Sequence, residues 1–290
     1  MRVGNPFRSE DSPERLFSMN ALRRAWGQVR RSGKSAGTDG MTPDAFAARL
    51  NHELNRLRQQ ILGSTYEPHP VRQFFIPKKS GKLRPIQVWS VRDKVAQRAV
   101  VNLLTPVLEK HFLDCSYGFR PGRSVKQAVD AVTRSRDQGH RWVVDADISD
   151  CFGSIDLDLL MGQVQGVIAE PIIVRLIEQW LHTPIHGEPH SQVAVSQGGV
   201  ISPILANLYL HRFDQMMLAS LPQSRLVRFA DDFITLSTSE EIAVWSLDVA
   251  RRSLENLRLR LNMRKTRIVH FDEGFAFLGY TFHEDKCEKG

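Results

Sequence analysis

A chain of 290 residues, 42% hydrophobic and 24% charged, is long enough for one large domain or two packed ones and has the composition of an ordinary globular protein. No apolar run approaches the roughly 20 residues a membrane span needs, and the first residues lack the apolar core of a signal peptide. Cys115, Cys151 and Cys287 form no CxxC pair, which predicts free thiols in a reducing cytoplasm, and the formal charge of +7 favours a polyanionic partner.

In chain order, Leu16, Met19, Leu22, Trp26 and Val29 recur at spacings of three and four, so 13–31 reads as one amphipathic helix, closed by Ser-Gly-Lys-Ser-Ala-Gly. Thr42-Pro43-Asp44 opens a second helix that runs to about Leu62. Arg72 to Ile76 and Leu83 to Val88 read as the strands of a hairpin with a basic turn, Lys78-Lys79-Ser80-Gly81-Lys82. A helical pattern covers Asp93 to Leu113, and a second, capped by Ser124, reaches Asp137; between them lies the irregular basic segment Tyr117 to Arg123. Trp142 to Ile148 has the pattern of a buried strand, 158–165 and 171–180 of helices, and a polar hairpin then leads to Gln197. After a helix over 203–218, Leu226 to Leu236 reads as a hairpin with its turn at Asp231-Asp232. An amphipathic helix over 240–259 and short strands at 267–271 and 275–282 complete the chain. Helices outnumber strands, and the strands that carry carboxylates lie far apart in sequence, which predicts an α+β fold with a small antiparallel sheet.

Asp147 closes an apolar strand and Asp231-Asp232 interrupts an apolar strand pair, where unpaired carboxylates are costly to bury. An exposed turn alone would account for the acidic pair. Chemistry that uses all three is a pair of Mg²⁺ ions about 3.5–4 Å apart, held by carboxylates from separate strands, which activates a hydroxyl and stabilises a phosphoryl transition state. His182, His186 and His190 repeat every four residues, but Pro184, Gly187 and Pro189 prevent the helix that would align them around zinc.

The segment LVRFADDFITL resembles the palm hairpin of reverse transcriptases, in which Tyr is usual where Phe229 stands, and VVDADISDCFGSI resembles their first carboxylate motif. SAGTDGMTPDAF, FFIPKKSGKLRPI, VRDKVAQRAV, SYGFRPGRS, SQGGVISPILANLYL, LNMRKTRIV and FAFLGYTF are similar, in order, to further segments of the group II intron type. The likeness runs from about Ala21 to Phe282. It implies the fingers and palm of a right-hand polymerase, with an N-terminal extension over 1–62 and fingers over 63–140. The palm would follow over 141–290, a fingers segment intervening near 160–200 and a thumb absent or truncated. The implied activity is RNA-directed DNA polymerisation by two-metal nucleotidyl transfer, in a mobile-element, defence or CRISPR-linked setting. An RNA-dependent RNA polymerase and a non-catalytic RNA-binding maturase-like fragment are the alternatives. Implied partners are an RNA template, a DNA or RNA primer, dNTPs, structured RNA from the same locus and a protein supplying the thumb, with no membrane.

The resemblance also implies roles. Asp147, Asp231, Asp232 and the carbonyl of Ile148 would hold two Mg²⁺ ions, with Mn²⁺ as a substitute, and Lys265 would protonate the leaving pyrophosphate. Lys78 and Arg84 would meet the triphosphate, aided by the N–H groups of Asp150 and Cys151, while Phe152 would lie under the sugar as a steric gate. Gln197 would keep nucleotide and template in register, with Gly198 allowing close backbone approach. Arg120, Arg123 and Lys126 would neutralise template phosphates, and Leu278-Gly279 would belong to the primer grip. Solvated turns, core aromatics and surface lysines are the plain alternatives for these positions. Phe229, Ser196 and the segment IQVWS depart from the family's usual residues, and none of the departures removes a metal ligand.

Overall fold

The structure is a computed structural model and describes residues 12–32, 35–77, 81, 83–192 and 195–290. Both N-terminal helical patterns are broken in two. Ser18 has extended backbone and its Oγ accepts from the Ala21 N–H, so α1 (Pro13–Leu16) stops and α2 (Met19–Arg31) starts afresh. Arg49, with non-helical backbone, likewise separates α3 (Pro43–Ala48) from α4 (Leu50–Leu62). Periodicity alone runs through such breaks because the apolar face continues on both sides.

The hairpin β1 (Arg72–Pro77) and β2 (Leu83–Val88) follows, antiparallel as expected. Next, α5 (Val91–Leu108) begins at the Ser90 cap and, with Pro106 inside it, ends at Leu108 rather than Leu113. The Ser124 cap of α6 (Val125–Asp137) accepts from the Gln127 N–H. The chain then forms β3 (Trp142–Asp147), the short α7 (Cys151–Ser154), α8 (Leu157–Val167) and α9 (Pro171–Leu181). It continues through β4 (Pro184–Ile185), β5 (Glu188–Gln192), α10 (Ser202–Ser220), β6 (Arg225–Phe229), β7 (Asp232–Ser237) and α11 (Glu240–Glu255). Last come β8 (Arg267–His270), β9 (Phe275–Phe277), β10 (Tyr280–His283) and β11 (Lys286–Lys289). The strand expected over 275–282 is thus two, turning at Leu278 and Gly279, whose φ angles are both positive.

The chain forms two compact units, Met1–Lys110 with Leu157–Leu205, and His111–Asp156 with Ala206–Gly290. In the first, a fully buried carboxylate ties loop to helix. Asp93 accepts from the Tyr66 hydroxyl (2.7 Å), the Ser90 hydroxyl (2.7 Å) and the His69 N–H (3.0 Å), and Trp180 Nε1 donates to the Tyr66 oxygen (2.9 Å). In the second, an antiparallel sheet of order β6-β7-β3-β8 packs Val143, Val227, Ile234, Leu236 and Val269 into one core with Ala128, Val129 and Val132 of α6. Phe271, Phe275, Phe277 and Phe282 extend that core to the sheet β11-β10-β9. Among the described residues no helix is long and apolar enough to cross a membrane.

Tyr66→Phe strips a buried carboxylate of a donor and a buried indole of its acceptor. It should lower the stability of the chain by about 1–3 kcal/mol in urea unfolding, and a loss below about 0.5 kcal/mol would show that Asp93 is satisfied without it.

Candidate active site

Antiparallel pairing brings the acidic residues to one end of a sheet. β3 runs into that end and β7 runs out of it, so Asp147, the last residue of β3, is the direct cross-strand neighbour of Asp232, the first of β7. The turn between β6 and β7 is Ala230-Asp231, with Ala230 in the left-handed region at φ 59°. β8 is also antiparallel to β3, so the turn that precedes it, Asn262 to Thr266, arrives at the same end, where Ile148 bridges to Leu261.

Two side chains of that turn engage one carboxylate oxygen. Asn262 Nδ2 and Lys265 Nζ donate to Asp147 Oδ2 at 3.0 and 2.9 Å, while the Asn262 N–H bonds the Asp147 carbonyl at 2.8 Å. The hydrogen bond to Asp147 holds the Lys265 ammonium above its ordinary range. One strand position back on the same face of β3, Asp145 accepts from Arg267 Nε at 3.2 Å, and burial raises its carboxyl above the usual value despite that partner. Burial, then the charges of Asp231 and Asp147, push the Asp232 carboxyl up to about 6. Its side chain still reaches solvent, so neighbouring charge and packing at its base, rather than full enclosure, set the shift.

Three carboxylates that repel one another at a sheet end are a donor set suited to hard divalent cations, which take oxygen ligands. Among the described residues, no three such side chains already stand in a metal-holding group. Asp147 instead faces Asn262 and Lys265, so the fit is one of chemistry and proximity. After β3, Asp150 has φ 40° and precedes α7, in which Cys151 is buried and its thiol pushed up by that burial; Phe152 beside it is only half-buried and lies outside the core.

The other expected residues fall elsewhere. Lys78 lies outside the described residues. Arg84 is exposed on β2, opposite Ile76. The Gln197 carbonyl accepts from the Gln87 N–H at 2.7 Å, and a Cβ on Gly198, whose φ is 118°, would stand 2.4 Å from the Gln87 carbonyl oxygen, so only glycine fits. Arg120 is buried: its Nη1 donates to the Leu113 and Ser116 carbonyls, both at 2.7 Å, and its guanidinium lies over Phe112. Its Nη1 donors are thus spent on the loop backbone. Arg123 pairs with Asp114 over the Tyr117 ring, and Lys126 is exposed. Leu278 and Gly279 form the β9–β10 turn.

Sequence reasoning missed Asn262, the Asp145–Arg267 pair and the buried Arg228. Asn262 was signalled by its place directly before Met-Arg-Lys in a segment already singled out. An acid two positions before Asp147 shares its strand face, which pointed to Asp145.

A family model described as Reverse transcriptase (RNA-dependent DNA polymerase) matches residues 76–282. Protein YkfC of Escherichia coli (strain K12) is 33% identical over 294 residues, covering 88% of this chain and 77% of its own. Group II intron-encoded protein LtrA of Lactococcus lactis subsp. cremoris is 29% identical over 323 residues, 86% of this chain and 53% of its own, so the chain spans about half the length of that relative. Apo telomerase from Candida tropicalis, truncated from the C-terminal domain, has a TM-score of 0.61 at 14% identity over 76% of this chain and 55% of its own. A chain of a partial Cas6-RT-Cas1–Cas2 complex has a TM-score of 0.51 at 23% identity over 86% of this chain and 43% of its own. These two likenesses are of fold.

With the Asp232 carboxyl at about 6 in the folded chain and 3.8 as its ordinary value, the unfolded chain gives up this proton first as pH rises. Stability is therefore lost between about pH 4 and pH 6 and stays lost above. Asp232→Asn removes that penalty. In metal-free buffer at pH 7.5 the variant should be more stable than the parent by about 1 kcal/mol, an amount discounted for the exposed carboxylate, and the gain should disappear near pH 4. Equal melting at both pH values would refute the charge crowding.

Proposed function

Because the chain belongs to the reverse transcriptase (RNA-dependent DNA polymerase) family, we propose that it extends a primer on an RNA template by two-metal nucleotidyl transfer at Asp147, Asp231 and Asp232. The observation that carries the reading is the cross-strand pairing of Asp147 with Asp232 beside the Asp231 turn, with the Asp232 carboxyl raised by burial and then by the charges of Asp231 and Asp147. On this reading the second unit, with its four-stranded sheet, is the palm, and the first, with the β1–β2 hairpin, contributes the fingers.

Asp147, Asp231, Asp232 and the Ile148 carbonyl would hold two Mg²⁺ ions, or Mn²⁺ in their stead, whose charge would ease ionisation of a primer 3′-hydroxyl and offset the charge that builds up on the phosphoryl oxygens. The 3′-oxygen, its proton passing to solvent, would form its bond to the α-phosphorus as the bond to the bridging oxygen of the leaving pyrophosphate breaks. Lys265, which donates to Asp147, would give that pyrophosphate a proton. Arg84 would meet the triphosphate with a planar fork, Lys78 would assist, and the Asp150 and Cys151 N–H groups would cradle it. The half-buried Phe152 would close the space beneath the sugar, and Gln197 with Gly198 would hold nucleotide and template in register. Arg123, Lys126 and the Leu278-Gly279 turn would contact template and primer. Structured RNA or a thumb-bearing protein would complete the assembly, in an intron-mobility, defence or CRISPR-linked programme.

The deciding experiment is primer extension by the purified chain on RNA and DNA templates, with and without RNA from the neighbouring locus. Asp231→Asn should abolish extension while RNA affinity stays within about twofold, since one carboxylate contributes little to a basic surface; undiminished extension would overturn the assignment.

Phe152→Val should raise ribonucleotide relative to deoxynucleotide incorporation at least about tenfold, roughly 1.4 kcal/mol of discrimination. Single-nucleotide kinetics beside a melting curve decide it: an unchanged sugar preference in a folded variant removes Phe152 from the role.

A further inference from the structure

The β6–β7 turn is held from behind by one fully buried guanidinium. Arg228, in β6, has no solvent exposure, and its five N–H donors all find acceptors. Nε and Nη2 grip Asp214 Oδ1 and Oδ2 at 2.7 and 2.6 Å; Nη2 also reaches Ser116 Oγ at 2.8 Å; Nη1 reaches Asn207 Oδ1 at 3.1 Å and the Ala230 carbonyl at 2.8 Å. Asp214 is itself buried in α10, so the charge pair is complete within the core. Asp214 takes two of the five donors, and the buried remainder must find other acceptors. One of them goes to the turn.

That donor falls where the turn is least able to hold itself. Ala230 is a non-glycine residue in the left-handed region, and its carbonyl lies in the peptide plane that carries the Asp231 nitrogen. Fixing the carbonyl fixes that plane, and with it the point from which Asp231 and then Asp232 leave. The same segment is gripped from a second side. The Arg228 N–H bonds the Cys115 carbonyl and its own carbonyl takes the Tyr117 N–H, both at 2.8 Å. Asn207 Nδ2 holds the Gly118 carbonyl at 2.7 Å, and a Cβ on Gly118 would stand 2.4 Å from the Ala230 nitrogen, so the 115–118 backbone lies directly against the turn.

We propose that Arg228 is the positioning residue of the acidic turn: its hydrogen bond to the Ala230 carbonyl, braced by Asp214, Asn207 and Ser116, sets the geometry in which Asp231 and Asp232 bind a divalent cation. The cation-binding role of the two aspartates rests on the polymerase reading above. Arg228 acts on the turn through its backbone, at the Ala230 carbonyl.

The test uses the full chain and Mn²⁺ alone, followed by electron paramagnetic resonance without nucleic acid, with melting curves in parallel. Arg228→Lys keeps the charge but cannot span Asp214 and Ala230 together. It should bind Mn²⁺ about tenfold more weakly, the scale on which supports of ligating groups act, and in extension should raise the Mg²⁺ requirement and lower kcat with little change in nucleotide KM. Adding Ala230→Gly, which lets the turn hold a positive φ unaided, should recover most of the lost Mn²⁺ affinity. A merely structural arginine would lower the melting temperature and leave the Mn²⁺ affinity of the folded fraction untouched; that result overturns the proposal. If Arg228→Lys does not fold, Ala230→Val carries the test, because a β-branched residue resists the left-handed turn without disturbing any buried charge, and unchanged Mn²⁺ binding there overturns it equally. A parent chain that binds Mn²⁺ but extends no primer would remove the polymerase reading and leave this one standing. A parent that extends, with Arg228→Lys unaltered in Mn²⁺ affinity, would do the reverse.

Discussion

The pairing of β3 with β7 is the constraint on which the site depends. It sets Asp147 across from Asp232 at one sheet end, and because β8 is antiparallel to β3, it also brings the Asn262 to Thr266 turn to that end. Register is exact here. A one-residue slip would move Asp147 to the opposite face and turn Val143 out of the core. The apolar residues that lock the register, Val143 against Leu236 and Val269, therefore fix the carboxylates as firmly as any contact the carboxylates make themselves.

Concentrated like charge is unfavourable in a folded chain, and here its cost is spread over several arrangements. Lys265 and Asn262 face Asp147, Arg267 faces Asp145, and Asp232 responds by holding its proton more tightly. Beneath them the Arg228–Asp214 pair is buried with its hydrogen bonds complete, the condition under which an internal ion pair is tolerable. Asp93 in the other unit follows the same rule, with the Arg92 guanidinium at 3.1 Å beside the donors from Tyr66, Ser90 and a backbone amide. Among the described residues, each unit thus has a carboxylate with no exposure, Asp93 or Asp214, that ties segments distant in sequence.

Much of this was legible in the chain itself. The apolar run ending at Asp147, the capped helix after Ser124 and the acidic hairpin were readable because their signals are local: period, cap and turn chemistry. The breaks at Ser18 and Arg49 were less so, since the apolar stripe continues through them, although Ser18 before a fresh apolar repeat is itself a cap signal. Arg120 and Arg228 could not be placed. Each looks like an ordinary basic residue in sequence, and its burial is decided by acceptors that the chain brings from elsewhere: Leu113 and Ser116 carbonyls for one, Asp214, Asn207 and Ser116 for the other. An aspartate in the apolar run of α10 was the one sign that a buried cation would be needed. The roles of Arg84, Phe152 and Gln197 came from resemblance to a family and not from any physical signal of their own.

Among the described residues, β11 is an end strand of the small sheet β11-β10-β9. Lys286, Glu288 and Lys289 are exposed along it, while Cys287 is the residue that turns toward the aromatic core. A row of open backbone donors and acceptors is a template for another extended chain, and charged side chains beside it make such an addition unfavourable. The four residues of β11 therefore complete the Phe275–Phe282 core on one side and, on the other, present an edge that resists the strand-by-strand association through which sheet proteins aggregate.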